Sequence, residues 1–120
     1  MGNFFRTPEL QKQYAEDRKN GSLQTCPLCT VEPKKEWEHW KIIENKYPYD
    51  RITKVHDMLV SKRHVKEEDL TTEEKEEMFR IKKEYINPNY GYMFEPMIDN
   101  KSIPDHFHVH LIVEKDSVTL

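Results

Sequence analysis

The chain has 120 residues, 36% of them hydrophobic and 34% charged, and 19 lysines and arginines against 22 aspartates and glutamates leave a net charge of −3. That length carries one domain with one core, thin at a mean hydropathy of −0.94, which a dimer interface or a bound metal would support. The acidic balance argues against a general nucleic-acid or membrane-surface binder but leaves room for a local basic pocket around a small phosphate ligand.

Thr7-Pro8-Glu9 reads as a helix start, with Thr7 as cap, Pro8 at the first helical position and Glu9 favoured by the helix dipole. The helix is expected to reach about Asn20, where Gly21 can close it in the left-handed conformation. Its apolar content is slight (Leu10, Tyr14, Ala15), so residues 1–25 read as a loosely packed helical extension ahead of a domain over 26–120. The turn C-P-L-C and the polar run Glu32 to Glu36 follow. A strand is expected from Trp37 to Asn45, with Trp40 and Ile42 on one side and Ile43 and Asn45 on the other. Pro48 marks a loop, and Val55 to Ser61 alternates as a second strand that Lys62-Arg63-His64 ends.

Thr71 with Glu74 three residues on matches a capping box, and Met78, Ile81 and Tyr85 at helical spacing extend the helix to about Ile86. Asn87-Pro88-Asn89 should stop it. A short strand over Tyr90 to Glu95, a loop over Asn100 to Pro104 and a last strand over Asp105 to Val113 complete the chain. The class is α+β, an antiparallel sheet of about five strands with helices packed against it.

The chemistry is concentrated in cysteines and histidines. Cys26 and Cys29 are spaced to reach one tetrahedral zinc ion, although C-x-x-C also serves redox pairs and two buried thiols would need no chemistry at all. Thr30-Val31-Glu32-Pro33 is a poor start for the helix that a redox pair normally opens. Zinc needs two further ligands, to be drawn from His39, His56, His64, His106, His108 and His110. His64 follows two cations, which favour the neutral imidazole that binds metal. Lys62 and Arg63 could neutralise a phosphate, though a solvated basic turn is the commoner meaning of such a pair.

On the last strand, side chains alternate between faces, so His106, His108 and His110 share one and Phe107, Val109, Leu111 and Val113 the other. The apolar set can lie on a core. Three imidazoles in a row on the opposite face have little structural purpose, and they point to metal or proton chemistry. No window approaches about 18 consecutive apolar residues. The first residues also lack the apolar run of a signal peptide, so the expected compartment is the cytoplasm.

H-F-H-V-H-L-I resembles the signature of the histidine-triad (HIT) superfamily of nucleotide hydrolases and transferases. W-K-I-I-E-N-K-Y-P-Y-D, H-D-M-L-V-S-K-R-H-V and D-L-T-T-E-E resemble that family's strand, loop, strand and helix in the same order, and C-P-L-C resembles its zinc-bearing branch. The resemblance covers about Cys26 to Val113 and leaves the first helix outside. It implies that His108 is the nucleophile toward an α-phosphorus, with His110 and His56 bonding phosphate oxygens or the leaving group. It implies further that Asn45 binds ribose hydroxyls, that Cys26, Cys29, His64 and His106 complete a structural zinc site, and that the chain forms a homodimer. The family's Gly-Gln pair before the triad is replaced by Asp99-Asn100-Lys101-Ser102-Ile103-Pro104-Asp105, where Asn100 or Ser102 would have to contact the phosphate, and Ser61 stands at a common proline. Two other readings fit the residues: a catalytic metal bound jointly by the three triad histidines, and a zinc-stabilised nucleotide- or protein-binding module without turnover.

Overall fold

The computed structural model describes residues 5–19, 26–97 and 103–119. Helix α1 (Pro8–Lys19) starts at Thr7, whose Oγ1 accepts from Leu10 N at 3.4 Å; Asn20 and Gly21, the expected closing residues, lie outside the described residues. A single turn, α2 (Pro27–Thr30), follows Cys26. Strands β1 (Lys35–Glu36), β2 (Trp40–Glu44), β3 (Thr53–Ser61), β4 (Tyr92–Phe94) and β5 (His108–Glu114) form one antiparallel sheet in the order β1-β2-β3-β5-β4. The class is α+β, as the pattern of elements implied.

Strand β3 starts two residues before the expected Val55 and β4 is shorter than the expected Tyr90 to Glu95, while three larger differences stand out. The strand placed over Trp37 to Asn45 is a hairpin. Lys35 and Glu36 pair with Ile42 and Lys41, and the turn closes with Trp37 N donating to Trp40 O at 2.8 Å. The buried Glu77 carboxylate holds that turn by accepting from His39 N at 2.7 Å. Helix α3 (Thr72–Ile81) does not stop before Pro88. It widens into a π-type turn (Lys82–Ile86), in which Asn87 N reaches back to Lys82 O, and ends in a further turn (Asn87–Asn89). The wider turn accommodates a proline that brings no N–H and would crowd the carbonyl four residues earlier. The ladder of β5 begins at His108 rather than Asp105, yet the chain just before it is held: Ser61 N donates to Phe107 O at 3.2 Å and Phe107 N to Val65 O at 2.8 Å.

The expected alternation on β5 is present. Phe107, Val109 and Leu111 bury against Trp40, Ile42, Leu59, Ile81 of α3 and Ile86 of the π-type turn. Trp40 stands edge-on to Phe107 at 5.9 Å and donates from Nε1 to Glu74 O at 2.8 Å, which ties the sheet to α3. The opposite face carries the histidines beside a smaller apolar group, Leu28, Ile43, Met58 and Val60. Among the described residues, no helix is long and apolar enough to cross a membrane.

A buried acid closes the other end of the α3 face. Asp57, 1% exposed, accepts from Lys34 Nζ at 2.9 and 3.0 Å and from Tyr90 OH at 2.6 Å. Burial, and then that carboxylate, push the Tyr90 phenol upward. Asp57→Ala leaves Lys34 and Tyr90 without their partner and is expected to cost about 3–5 kcal/mol in urea unfolding. A loss below about 1 kcal/mol would mean that the triad contributes no net stability.

Candidate metal centre and histidine cluster

The metal-binding residues come from three segments, each pinned by its own contacts. Pro27 opens α2, and Leu28, 3% exposed, packs it onto Ile43, Met58 and Val60, so that Cys26 and Cys29 sit at the end of the sheet. His64 lies just past β3. Its neighbour Arg63 grips Glu74 through Nε at 3.0 Å and one terminal nitrogen at 2.8 Å, and also donates to Asp69 O at 3.1 Å. That contact holds the Glu74 carboxyl down at about 2, with burial opposing and the Thr71 capping box helping. Lys62 pairs with Glu36 at 3.4 Å. Both cations of this turn are exposed and paired with carboxylates, in keeping with a solvated basic turn.

His106, fully buried, comes from the start of the last segment. One ligand atom from each of Cys26, Cys29, His64 and His106 lies within 4.8 Å of the others; among the described residues this is the one group able to hold a metal ion. Cys29 Sγ is 3.3 Å from His64 Nδ1, and His106 Nδ1 is 3.4 Å from Cys26 Sγ and 3.5 Å from Cys29 Sγ. The edges of a tetrahedral site built from zinc–sulfur and zinc–nitrogen bonds would be about 3.6 Å, so the donor set fits.

The tautomer fits as well. His106 Nε2 lies 2.6 Å from Ser61 O, which can only accept, so Nε2 carries the proton and Nδ1 turns its lone pair toward the thiols. A carbonyl partner on the far nitrogen is the usual orienting contact of a metal-bound histidine. Burial lowers the pKa of His106 and so favours the neutral, ligating form. Ser61 supplies this carbonyl, and its hydroxyl donates to Arg63 O at 2.8 Å. His39 lies apart on the hairpin turn, beside Glu38.

The remaining triad rings form a second group. His108 Nδ1 is 2.8 Å from His106 O, again an acceptor only, so the neutral ring holds its proton on Nδ1 and its lone pair on Nε2. Tyr49 N donates to His56 Nδ1 at 2.9 Å, which leaves the His56 proton on Nε2, 2.7 Å from His110 Nδ1. His110 in turn keeps its proton on Nε2. The His108 lone pair is thus on Nε2 and the His110 N–H on Nε2, in neighbouring rings 5.5 Å apart. The three triad histidines do not converge on a single ion.

Burial drives the His56 pKa down to about 3 and that of His110 to about 2, with Arg6 adding to both and His56 and His108 adding to the second. Both rings stay neutral in the folded chain while an unfolded chain protonates them below about pH 6.5. Folding stability is then full above pH 6.5 and falls as the pH drops toward the folded values, by about 1.4 kcal/mol per histidine per pH unit. Urea melts from pH 7 to pH 5 should show a loss of about 3–4 kcal/mol from the two rings together. A flat profile over that range contradicts the neutral pair.

Asn45 is buried at the end of β2. Its Oδ1 accepts from Tyr47 N at 2.8 Å and its Nδ2 lies 3.3 Å from His56 Nε2, so it shapes the turn that leads to Tyr49. Asn100 and Ser102 lie outside the described residues. Sequence reasoning missed Tyr49, whose ring stacks on His110 at 5.2 Å and meets His56 at a tilt, 4.4 Å away, and Arg6 behind it. Neither carries a periodic or spacing signal. Compared with protein-family models, with curated proteins and with solved structures, the chain finds no match in any of the three.

Proposed function

We propose that the protein transfers or hydrolyses a nucleotidyl group at the α-phosphate of a nucleoside phosphoramidate or dinucleoside polyphosphate, through a nucleotidyl-histidine on His108. The observation that carries this reading is the bond from His108 Nδ1 to His106 O, which fixes the ring and places its lone pair on Nε2. In the first step that pair forms a bond to the α-phosphorus, the phosphorus–nitrogen or phosphorus–oxygen bond to the leaving group breaks, and the leaving group takes a proton from solvent that the attacking water of the second step returns. His110 Nε2–H donates to a phosphate oxygen as charge builds there. Water then displaces the His108 ring and releases the nucleoside monophosphate. Two modest barriers replace one high one.

Cys26, Cys29, His64 and His106 would hold a structural zinc that crosslinks the α2 turn, the end of β3 and the start of β5. With four protein ligands no coordination position is left for substrate, so the ion's task is to steady His106 and, through its carbonyl, His108. The free thiols suit a reducing compartment, which supports a cytoplasmic assignment.

Edge strand β4 exposes Tyr92 and Met93, and Met97 beyond it is 66% exposed; a homodimer that covers this edge is part of the proposal. Sedimentation should give twice the mass of the chain, and a monomer at micromolar concentration contradicts it.

His108 is only 5% exposed, so substrate enters as the residues over the ring move aside. That burial is also the one observation favouring the second reading, a zinc-stabilised binding module without turnover. An assay of nucleoside monophosphate release from adenosine phosphoramidate and diadenosine polyphosphates separates the two. Turnover with retained configuration at a chiral α-phosphorus is expected, because two displacements each invert it. Inversion would mean direct attack by water, and binding without release would leave the module.

A further inference from the structure

Residues 5–19 lie outside the stretch that carries the chemistry, yet their contacts lead directly to it. Thr7 N and Oγ1 both donate to the Asp50 carboxylate at 2.7 Å, and Arg51 N donates to Phe5 O at 3.0 Å. Tyr47 OH bonds Asp17, and Tyr14 stands edge-on to Tyr47 at 4.8 Å. The expected loose packing of α1 is therefore replaced by a polar and aromatic anchorage on the loop after β2. At its centre is Arg6, 7% exposed. Its guanidinium carbon lies 4.6 Å from the Tyr14 ring centroid and 5.2 Å from that of Tyr49, and its Nε donates to Tyr47 O at 2.8 Å. A second nitrogen reaches Gln11 Oε1 at 3.4 Å.

We propose that this N-terminal arm is a working part of the histidine site, with Arg6 as a positioning residue that holds Tyr49 against His56 and His110. Tyr49 meets the pair twice. Its backbone N–H sets the His56 tautomer, which sets that of His110, and its ring covers both imidazoles. Without the guanidinium behind it, Tyr49 loses a ring partner and the loop loses the bond at Tyr47 O. The His56 tautomer is then no longer enforced, and His110 no longer presents its N–H in a fixed direction.

The charge acts in the same sense. The ionisable groups facing the two rings are Arg6 from the arm, the Tyr49 phenol from the loop and His108 from β5, with the Asp50 carboxylate bonded to Thr7 close by. A fixed cation behind the rings opposes a second proton on either. A buried arginine held by aromatic faces and a carbonyl is well suited to this, since it stays charged without a carboxylate clasping it.

The inference rests on the proposed chemistry for its consequence in rate but not for its physical test. In the full-length, zinc-loaded chain with ¹⁵N-labelled histidine, His56 and His110 should each show a single neutral tautomer, protonated at Nε2, at pH 7. In Arg6→Met, which keeps the bulk and removes charge and donors, both should become mixtures, and Arg6→Lys should recover part of the single form. Turnover should fall about tenfold in kcat with KM within about twofold, because Arg6 lies behind Tyr49 and does not touch substrate. Should Arg6→Met fail to fold, Arg6→Gln, which keeps a donor toward Tyr47 O, gives the same readout.

Unchanged tautomers in a folded Arg6 variant overturn the inference. A loss confined to KM also overturns it, since it would make Arg6 a substrate ligand. A tautomer change in a protein that turns nothing over upholds the inference and removes the proposed function instead.

Discussion

His108→Ala is expected to lower nucleotidyl transfer by at least about a thousandfold while the protein keeps its fold and its metal. The proposed nucleophile has no substitute within the site. His110 Nε2 carries a proton because its Nδ1 faces the His56 N–H, and His106 Nε2 is committed to Ser61 O. No other ring of the triad can turn a lone pair toward phosphorus without breaking a short bond. Loss of a covalent nucleophile typically costs several orders of magnitude, with the residue of activity coming from binding and electrostatics. His110→Ala should cost less, about a hundredfold, because it removes one donor to the developing charge and leaves the attacking atom in place. The check is a steady-state assay beside a thermal melt and a zinc determination. A His108→Ala protein with more than a tenth of wild-type activity would remove histidine nucleophilic catalysis from consideration.

Stripping the metal should be the largest perturbation of the fold. The four candidate ligands come from the turn at α2, the end of β3 and the start of β5, and short bonds among protein groups replace only part of what the ion supplies. Structural zinc contributes about 10 kcal/mol or more to small domains at neutral pH, comparable to the whole stability of a chain this size. A strong chelator should therefore unfold the protein or shift its melting far down, with one equivalent of zinc released per chain, and Cys26→Ser or Cys29→Ser should mimic it. Activity should disappear with the structure and not before it, since an ion held by these four ligands would leave no open position for substrate. A chelated protein that melts where the loaded one does would show that the cluster holds no structural ion. Full structure with no turnover would instead favour a catalytic metal.

Much of this arrangement was legible in the residues. Alternation placed Phe107, Val109 and Leu111 on the core and the three histidines opposite, and the Thr71–Glu74 cap was readable from spacing because the motif is local. Cys26 and Cys29 announced half of a metal site through their own spacing. Which histidines complete it is a matter of tertiary approach: His64 and His106 meet the thiols although 35 and 77 residues separate them from Cys29.

The less legible features depend on distant partners or on strain relieved nearby. The hairpin through Trp37 to His39 is set partly by a Glu77 carboxylate 38 residues away. The continuation of α3 past Ile86 follows from one widened turn ahead of Pro88, where a proline ordinarily signals an end. Arg6 sits in a polar arm whose apolar content is low, and its importance comes from the two tyrosine rings it meets across the fold.

The most direct test is to stop the reaction in alkali, where a phosphorus–nitrogen bond on histidine survives, and to locate the nucleotide by mass spectrometry of the peptides. A nucleotidyl group on His108, appearing and clearing at rates compatible with turnover, is the predicted result. Turnover with the group on another residue, or with no covalent species at all, would contradict it.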